Sequence, residues 1–246
     1  MTPRWADQVA VVTGTAQGIG AAVAESLEAA GATVHRVDRD RSPAPAPSAG
    51  RVYVVDLSRT DEVDDLFADV GHVDVLVNSA GGVVGQTHVP FGTVLDADWD
   101  AVLDANLRTT MLCTRAAVRS MTARGYGRVV TISSGAGRSV SLTGIQAYAA
   151  AKAAQIALTR QLAHELGPQG VTVNCVAPGF VLSNPTTQRQ WEALGPDGQE
   201  ALVRGIAVRR TGSAGDIARA VLFFADPAAG WVSGQTLSVD GGSALF

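Results

Sequence analysis

Val11-Val-Thr-Gly-Thr-Ala-Gln-Gly-Ile-Gly20 decides the fold. The stretch begins inside a β-rich apolar run, residues 8–13, and ends inside an Ala-rich run with helical spacing, residues 18–30. Three glycines stand where the strand turns into the helix. Gly14 allows the tight turn, Gly18 lets the backbone approach a pyrophosphate, and Gly20 lets the helix lie close to the strand. Backbone N–H groups and the positive end of the helix favour phosphate at that point. Glycines serving a turn alone would give the same triplet; the strand before and the helix after favour the nucleotide reading.

Outward from this turn the chain alternates. Strands are expected at 33–37, 51–55, 73–78, 128–133, 171–176 and 236–239. Helices are expected at 61–70, 98–123, 145–166 and 215–224. The strands are continuous apolar runs, as expected when helices cover both faces of a parallel sheet. The pattern predicts an α/β protein: a single doubly wound Rossmann-fold domain over 1–246, with a parallel sheet of about seven strands and helices on both faces. Three alternating prolines within 42–50 predict a crossover loop without a helix between the second and third strands. A second stretch, 180–198, holds Pro185 and Pro196 and is read as irregular; the substrate lid is expected at about 183–205.

Composition narrows the function. The 246 residues are 46% apolar and 17% charged, which suits a sizeable core and excludes a disordered chain. A net charge of −4 disfavours a nucleic-acid partner. Cys113 and Cys175 make neither a disulfide framework nor a zinc pattern and suit a reducing cytosol. No apolar run approaches the ~20 residues of a membrane span, and the first residues, MTPRWADQ, lack a signal peptide's apolar stretch. The expectation is a cytoplasmic protein with no membrane partner. His35, His72, His88 and His164 are scattered without ligand spacing, so no metal is expected.

Asp38 ends the second strand, 18 residues beyond Gly20. A carboxylate there can accept hydrogen bonds from both adenosine ribose hydroxyls and would repel a 2′-phosphate, so NAD is preferred. Arg36, Arg39 and Arg41 could neutralise such a phosphate, which keeps NADP open. Tyr148-Ala-Ala-Ala-Lys152 sets a phenol and an ammonium on one helix face. A free tyrosine, with a pKa near ~10, is a poor base at neutral pH. A nearby cation lowers that value, and the pair could then exchange a proton with an alcohol or ketone oxygen. Ser133-Ser134-Gly135 ends the preceding strand at the carboxyl edge, where ligands bind in open α/β sheets.

With these motifs in order, the chain resembles the short-chain dehydrogenase/reductase family from Val9 to Gly242. The resemblance rests on Thr13-Gly14, Gly18-Ile19-Gly20, Asp56-Leu57, Asn78-Ser-Ala-Gly81, Asn106, Ser134, Tyr148 with Lys152, Pro178-Gly179 and Val239-Asp240-Gly241-Gly242. It implies that Tyr148 is the proton donor or acceptor and that Lys152 holds the nicotinamide ribose and lowers the Tyr148 pKa. Ser134 would hydrogen-bond the substrate oxygen, and Asn106 would hold a water that relays protons through Lys152. Asp56 and Leu57 would contact adenine; Asn78, Ala80 and Gly81 would line the cofactor; the stretch after Pro178-Gly179, with Val181 and Ser183, would contact the nicotinamide amide. Thr15, Gln17 and Arg39 complete the expected cofactor set. Ser134 is chosen over Ser133 because Gly137 then falls three residues later, as in the family. Ser79 replaces the family's second asparagine, and Ser183 stands where threonine is usual.

The function read from this is an NAD(P)-dependent oxidoreductase interconverting a secondary alcohol and its ketone. A 3-oxoacyl-thioester reductase and a cyclic dihydrodiol or polyol dehydrogenase are the alternatives on substrate. A non-catalytic cofactor-binding protein is disfavoured by the intact Asn/Ser/Tyr/Lys set. Apolar surface expected on the 98–123 and 145–166 helices, with the resemblance, implies a homotetramer or a dimer. Trp191 and Arg189 fall in the lid; Trp191 is a candidate pocket residue, and Arg189 is read as solvated.

Overall fold

The computed structural model describes residues 5–40 and 49–244. The first half of the chain runs β1 (Val9–Thr13), α1 (Gly18–Ala30), β2 (Thr33–Asp38), β3 (Val52–Val54), α2 (Thr60–Val70) and β4 (Val75–Asn78). Next come α3 (Asp96–Leu103), a π turn (Asp104–Arg108), α4 (Thr109–Arg124), β5 (Gly127–Ile132) and α5 (Gln146–Leu166). The last part is β6 (Val171–Pro178), β7 (Val181–Leu182), α6 (Pro185–Ala193), α7 (Gly195–Gly205), β8 (Gly212–Ser213), α8 (Ala214–Ala225) and β9 (Thr236–Val239).

Seven strands form one parallel sheet in the order β3-β2-β1-β4-β5-β6-β9. β1 pairs with β2 on one side and with β4 on the other, so the strand order reverses there. A crevice at such a reversal, beyond the carboxyl ends of the strands, is where this architecture binds ligands. Every residue of β4, β5 and β6 is buried, Arg128, Thr131, Thr172 and Asn174 included, as helices on both faces of the sheet require. One core cluster lies under α1 and α8 and includes Val12, Val23, Leu27, Ile217 and Phe224. The other lies under α2 and α4 and includes Val11, Leu66, Leu76, Leu112 and Met121.

One expectation is sharpened and one corrected. The helix expected at 98–123 runs from Asp96 to Arg124 and carries a π turn at Asp104–Arg108 that periodicity does not show. Side chains cause the change. Asn106 Nδ2 donates to the Val102 carbonyl (2.8 Å), Thr109 Oγ1 to the Ala105 carbonyl (2.9 Å) and Thr110 Oγ1 to the Asn106 carbonyl (2.8 Å). Side-chain donors thus compete with the backbone for three carbonyls in one short stretch. The stretch 180–198 is ordered, not irregular. Its prolines sit in the first turns of α6 and α7, where a missing N–H costs nothing. Asn184 and Thr187 close a capping box at the start of α6, and β7 pairs with β8 in a small second sheet. The proline-rich crossover expected within 42–50 falls, up to residue 48, outside the described residues.

Candidate active site

The glycine turn is built by close approach. Gly14 has φ +74°, and a Cβ on it would lie 2.8 Å from the Ala80 backbone. A Cβ on Gly20 would lie 2.1 Å from the Gly14 carbonyl oxygen, so α1 can start there only with glycine. Thr13 Oγ1 ties the neighbouring strand ends together, accepting from the backbone N–H of Ser79 and of Ala80 (both 3.0 Å). Thr15 is buried with its hydroxyl on the Val37 carbonyl, Gln17 is exposed, and Ile19 packs on the core. Gln17 caps α1 without a side-chain hydrogen bond, and the first turn carries no acidic residue. The leading amides of α1 therefore fit a phosphate group.

Asp38 reaches back to this turn. Its Oδ2 accepts from Ala16 N–H (2.8 Å) and its Oδ1 from Asp40 N–H (3.1 Å). Of the three arginines that sequence sets beside it, Arg36 is buried and bound to Glu28 through two 2.7 Å hydrogen bonds. It is therefore unavailable to a ligand. Arg39 is exposed, and Arg41 lies outside the described residues. The Asp56 carboxylate accepts from the Ser58 hydroxyl (2.7 Å) and backbone N–H (3.0 Å), bonds that hold its pKa down; Leu57 beside it is buried.

The Asn78 side chain turns into the protein. Its Nδ2 donates to Thr114 Oγ1 (3.0 Å), and its Oδ1 is buried without a partner among the described residues. Only its backbone is left for the crevice. Gly81 packs against Asn106, whose side chain grips the next residue: Gly82 N–H donates to Oδ1 (3.0 Å) and Nδ2 donates to the Gly82 carbonyl (2.8 Å). Gly179 N–H donates to the Val239 carbonyl (3.1 Å), which fixes the chain after Pro178. Val181 is buried in the core and pairs with Gly212. Ser183 faces the glycine turn, its carbonyl 3.3 Å from the place a Cβ would take on Gly18.

Tyr148, Ser134 and Lys152 meet at the carboxyl ends of β5 and β6. Ser134 accepts from Ala136 N–H (3.1 Å), and its hydroxyl lies close enough to Tyr148 to favour the phenolate. Ser133 instead donates to the Lys152 carbonyl (2.8 Å), so the two serines have separate partners. Lys152 Nζ donates to the Ile132 carbonyl (2.9 Å) and lies 5.6 Å from the centre of the Tyr148 ring. Burial raises the Tyr148 pKa, and the nearby Ser134 hydroxyl opposes it. Burial also brings Lys152 down to about 8. Sequence reasoning has the ammonium lowering the phenol's pKa; here Nζ is held on a backbone carbonyl, and burial sets the direction of the Tyr148 shift. Cys175, pushed up to about 11 by burial, stays a neutral thiol beside the lysine.

The loops at 82–91 and 139–146 border this group and hold each other. His88 Nδ1 donates to the Gly144 carbonyl (3.0 Å) and Gln146 Nε2 to the Val89 carbonyl (3.0 Å). Val140, Leu142 and Phe91 project from them into solvent. Over the other side, Trp191 of α6 packs on Phe180 with ring centres 6.0 Å apart, and Arg189 is exposed. Sequence reasoning missed the π turn and Gln155. A polar side chain seven residues after Tyr148, on the helix face that carries the tyrosine, was the available signal.

A glycine turn that fits a phosphate and a half-buried Tyr148 beside a buried Lys152, at one edge of a doubly wound sheet, point to a nicotinamide-dependent oxidoreductase. The family model described as enoyl-(acyl carrier protein) reductase matches residues 14–244. The short-chain reductase protein NovJ of Streptomyces niveus is 41% identical, over 96% of this chain and 94% of its own. The 3-oxoacyl-[acyl-carrier-protein] reductase FabG of Haemophilus influenzae is 34% identical, over 96% of this chain and 97% of its own. A solved Agrobacterium tumefaciens protein, described as a 2-deoxy-d-gluconate 3-dehydrogenase with bound NADP, superposes with a TM-score of 0.85 at 32% identity, covering 99% of each chain. The chain belongs to the short-chain dehydrogenase/reductase family and acts between CH–OH and keto groups of a small molecule. Among the described residues, no helix is long and apolar enough to cross a membrane.

Proposed function

We propose that Tyr148 gives a proton to a ketone oxygen, or takes one from an alcohol, while Ser134 hydrogen-bonds the same oxygen. Lys152 orients the ribose and supports the phenol's charge, and Asn106 holds a water that returns protons through Lys152. The observation that carries this reading is the Lys152 ammonium held on the Ile132 carbonyl, 5.6 Å from the Tyr148 ring, at the strand end that leads into Ser134. The cofactor, when bound, supplies or accepts the hydride. The turn from Gly14 through Thr15, Gln17, Gly18 and Ile19 to Gly20 holds its phosphates, and Asp38 and Arg39 meet the adenosine ribose. Asp56 and Leu57 meet adenine. Asn78, Ala80 and Gly81 form the floor, and Pro178, Gly179, Val181 and Ser183 border the nicotinamide; Asn78 and Val181 act through their backbones.

On the cofactor, the amides of Ala16 and Asp40 already draw on the Asp38 charge, Arg39 is exposed next to it, and a relative carries NADP. We therefore rank NADP(H) first and NAD(H), which the bare carboxylate favours, second. The ratio of kcat/KM for the two cofactors decides the order. For substrate, a 3-oxoacyl thioester ranks first. Exposed Val140, Leu142 and Phe91 at the entrance suit an acyl group, and a relative is a 3-oxoacyl reductase. A cyclic dihydrodiol or polyol ranks second. Tyr148→Phe should cut kcat by about 10²–10⁴ while nucleotide binding stays unchanged; substantial retained turnover would refute the mechanism.

The same proposal takes 1–246 as one domain with 183–205 as its lid, in a cytoplasmic protein. Its two thiols are free and buried, which suits that compartment. The assembly is proposed as a homotetramer, with a dimer next. No large apolar side chain of α4 or α5 is exposed among the described residues, contrary to the surface expected there. Exposed Phe223, Trp231 and Leu237 on α8, the turn after it and β9 supply the apolar surface instead. Sedimentation at micromolar concentration, finding only the monomer, would refute it.

A further inference from the structure

Gln155 lies on α5 three residues after Lys152 and seven after Tyr148, on the same face of the helix. It is buried, with Val129, Leu158, Leu162 and Val173 around it. Its Nε2 donates to Thr110 Oγ1 (2.8 Å) and to the Asn106 carbonyl (3.2 Å). Thr110 Oγ1 in turn donates to that carbonyl (2.8 Å). Swapping the amide would set Oε1 against the carbonyl oxygen, so the orientation is fixed. In that orientation Oε1 is buried with no partner among the described residues. A leucine or methionine would fill the space without burying an unpaired acceptor, so packing and stability do not account for an amide at this position.

The amide's contacts account for it. The Asn106 side chain is fully used on Gly82 and Val102, which leaves the carbonyl as the part of Asn106 turned toward α5. In the π turn that carbonyl accepts the Thr109 backbone N–H and hydroxyl (3.1 Å) and the Thr110 hydroxyl from its own helix, and Gln155 is the donor that ties it to α5. We infer that Gln155 is a positioning residue: it clamps the Asn106 carbonyl and the π turn in register with Lys152 and Tyr148, and so sets the efficiency of proton return to the tyrosine. The inference rests on the proton-relay reading of Asn106 given above.

The test compares Gln155→Leu and Gln155→Met with the parent and with Asn106→Ala, on the full chain. Readouts are melting temperature, kcat and KM for ketone reduction, and the pH profile of kcat. Both Gln155 variants should melt at or above the parent temperature and keep KM within about twofold, with kcat down about tenfold and its alkaline limb displaced. Parent kcat and pH profile in both variants, while Asn106→Ala loses turnover, would overturn the inference and leave the relay standing. A fall in kcat that tracks a fall in melting temperature, with an unmoved pH profile, also overturns it, since that is the mark of a structural role. Parent turnover in Asn106→Ala removes the relay itself and the inference with it.

Discussion

The helix that carries Tyr148 and the segment that carries Trp191, proposed above as the cover, differ in construction. α5 buries Ala147, Ala151, Lys152, Gln155, Ile156, Thr159 and Leu166, whereas α6 and α7 bury no residue at all. The glycine turn resembles α5: Gly14, Gly20 and Thr13 are fixed by backbone contacts across three strands. The cover hangs on β7, the Asn184 capping box and the Trp191–Phe180 contact. Segments with few buried contacts open at low free-energy cost, while packed ones open only with the whole fold. On the proposed reading, the chemistry is held rigid and admission of substrate falls to the least packed segment.

Lys152 tests this contrast hardest. Lys152→Met should cost about 10²–10⁴ in kcat. Yet it should stabilise the protein below pH 8. The folded pKa near 8 lies below the unfolded value of 10.5, so the folded state is penalised while the lysine is protonated. The penalty is present below pH 8 and disappears as the pH rises toward 10.5. Allowing for the lost bond to the Ile132 carbonyl, the gain should be about 1–3 kcal/mol. Urea unfolding of both proteins at pH 7 and pH 10 measures it, and a variant less stable at pH 7 would contradict the account.

Gly20→Ala attacks the rigid side through packing. With the Gly14 oxygen 2.1 Å from the new Cβ, α1 must move, at a cost of about 3 kcal/mol or more. Nucleotide affinity and melting temperature should fall together; an unperturbed variant would show the turn to be looser than described. For pH, kcat/KM for ketone reduction should hold below about 8 and decline above it as Lys152 loses its proton. A profile flat to pH 10 would separate the lysine from the rate. The smallest effect belongs to the cover. Asn184→Ala removes one half of the capping box and should cost about 1 kcal/mol locally. Proteolysis within 183–205 should quicken and substrate KM should rise, with the global melting transition almost unmoved.

The rigid side was the more legible in sequence. The bounds expected at 18–30 and 236–239 are the observed ones because glycine punctuation and apolar runs act locally. The Tyr148 and Lys152 spacing is visible in the sequence, but the Ser133-Ser134-Gly135 strand end and the family resemblance are what single it out. What was hidden depends on distant partners. The π turn needs Gly82 to receive the Asn106 side chain, and helical periodicity runs through it unbroken. Arg36 looks free in sequence and is taken by Glu28 from a neighbouring element. The opposed shifts of Tyr148 and Lys152 follow from burial, which spacing does not report. The cover misled for a local reason: proline reads as a breaker until its position in the helix is known.

The π turn at Asp104–Arg108 also governs where the chain can change length. A residue gained or lost between it and Arg124 would rotate everything beyond by about 100°. Leu112, Cys113, Ala116 and Ala117 would swing off the sheet, and Asn106 would lose its phase with α5. The loop at 82–91 and the cover impose no such phase. Insertions and deletions among related chains should therefore gather around the mouth of the crevice, while the span from 104 to 124 keeps its residue count.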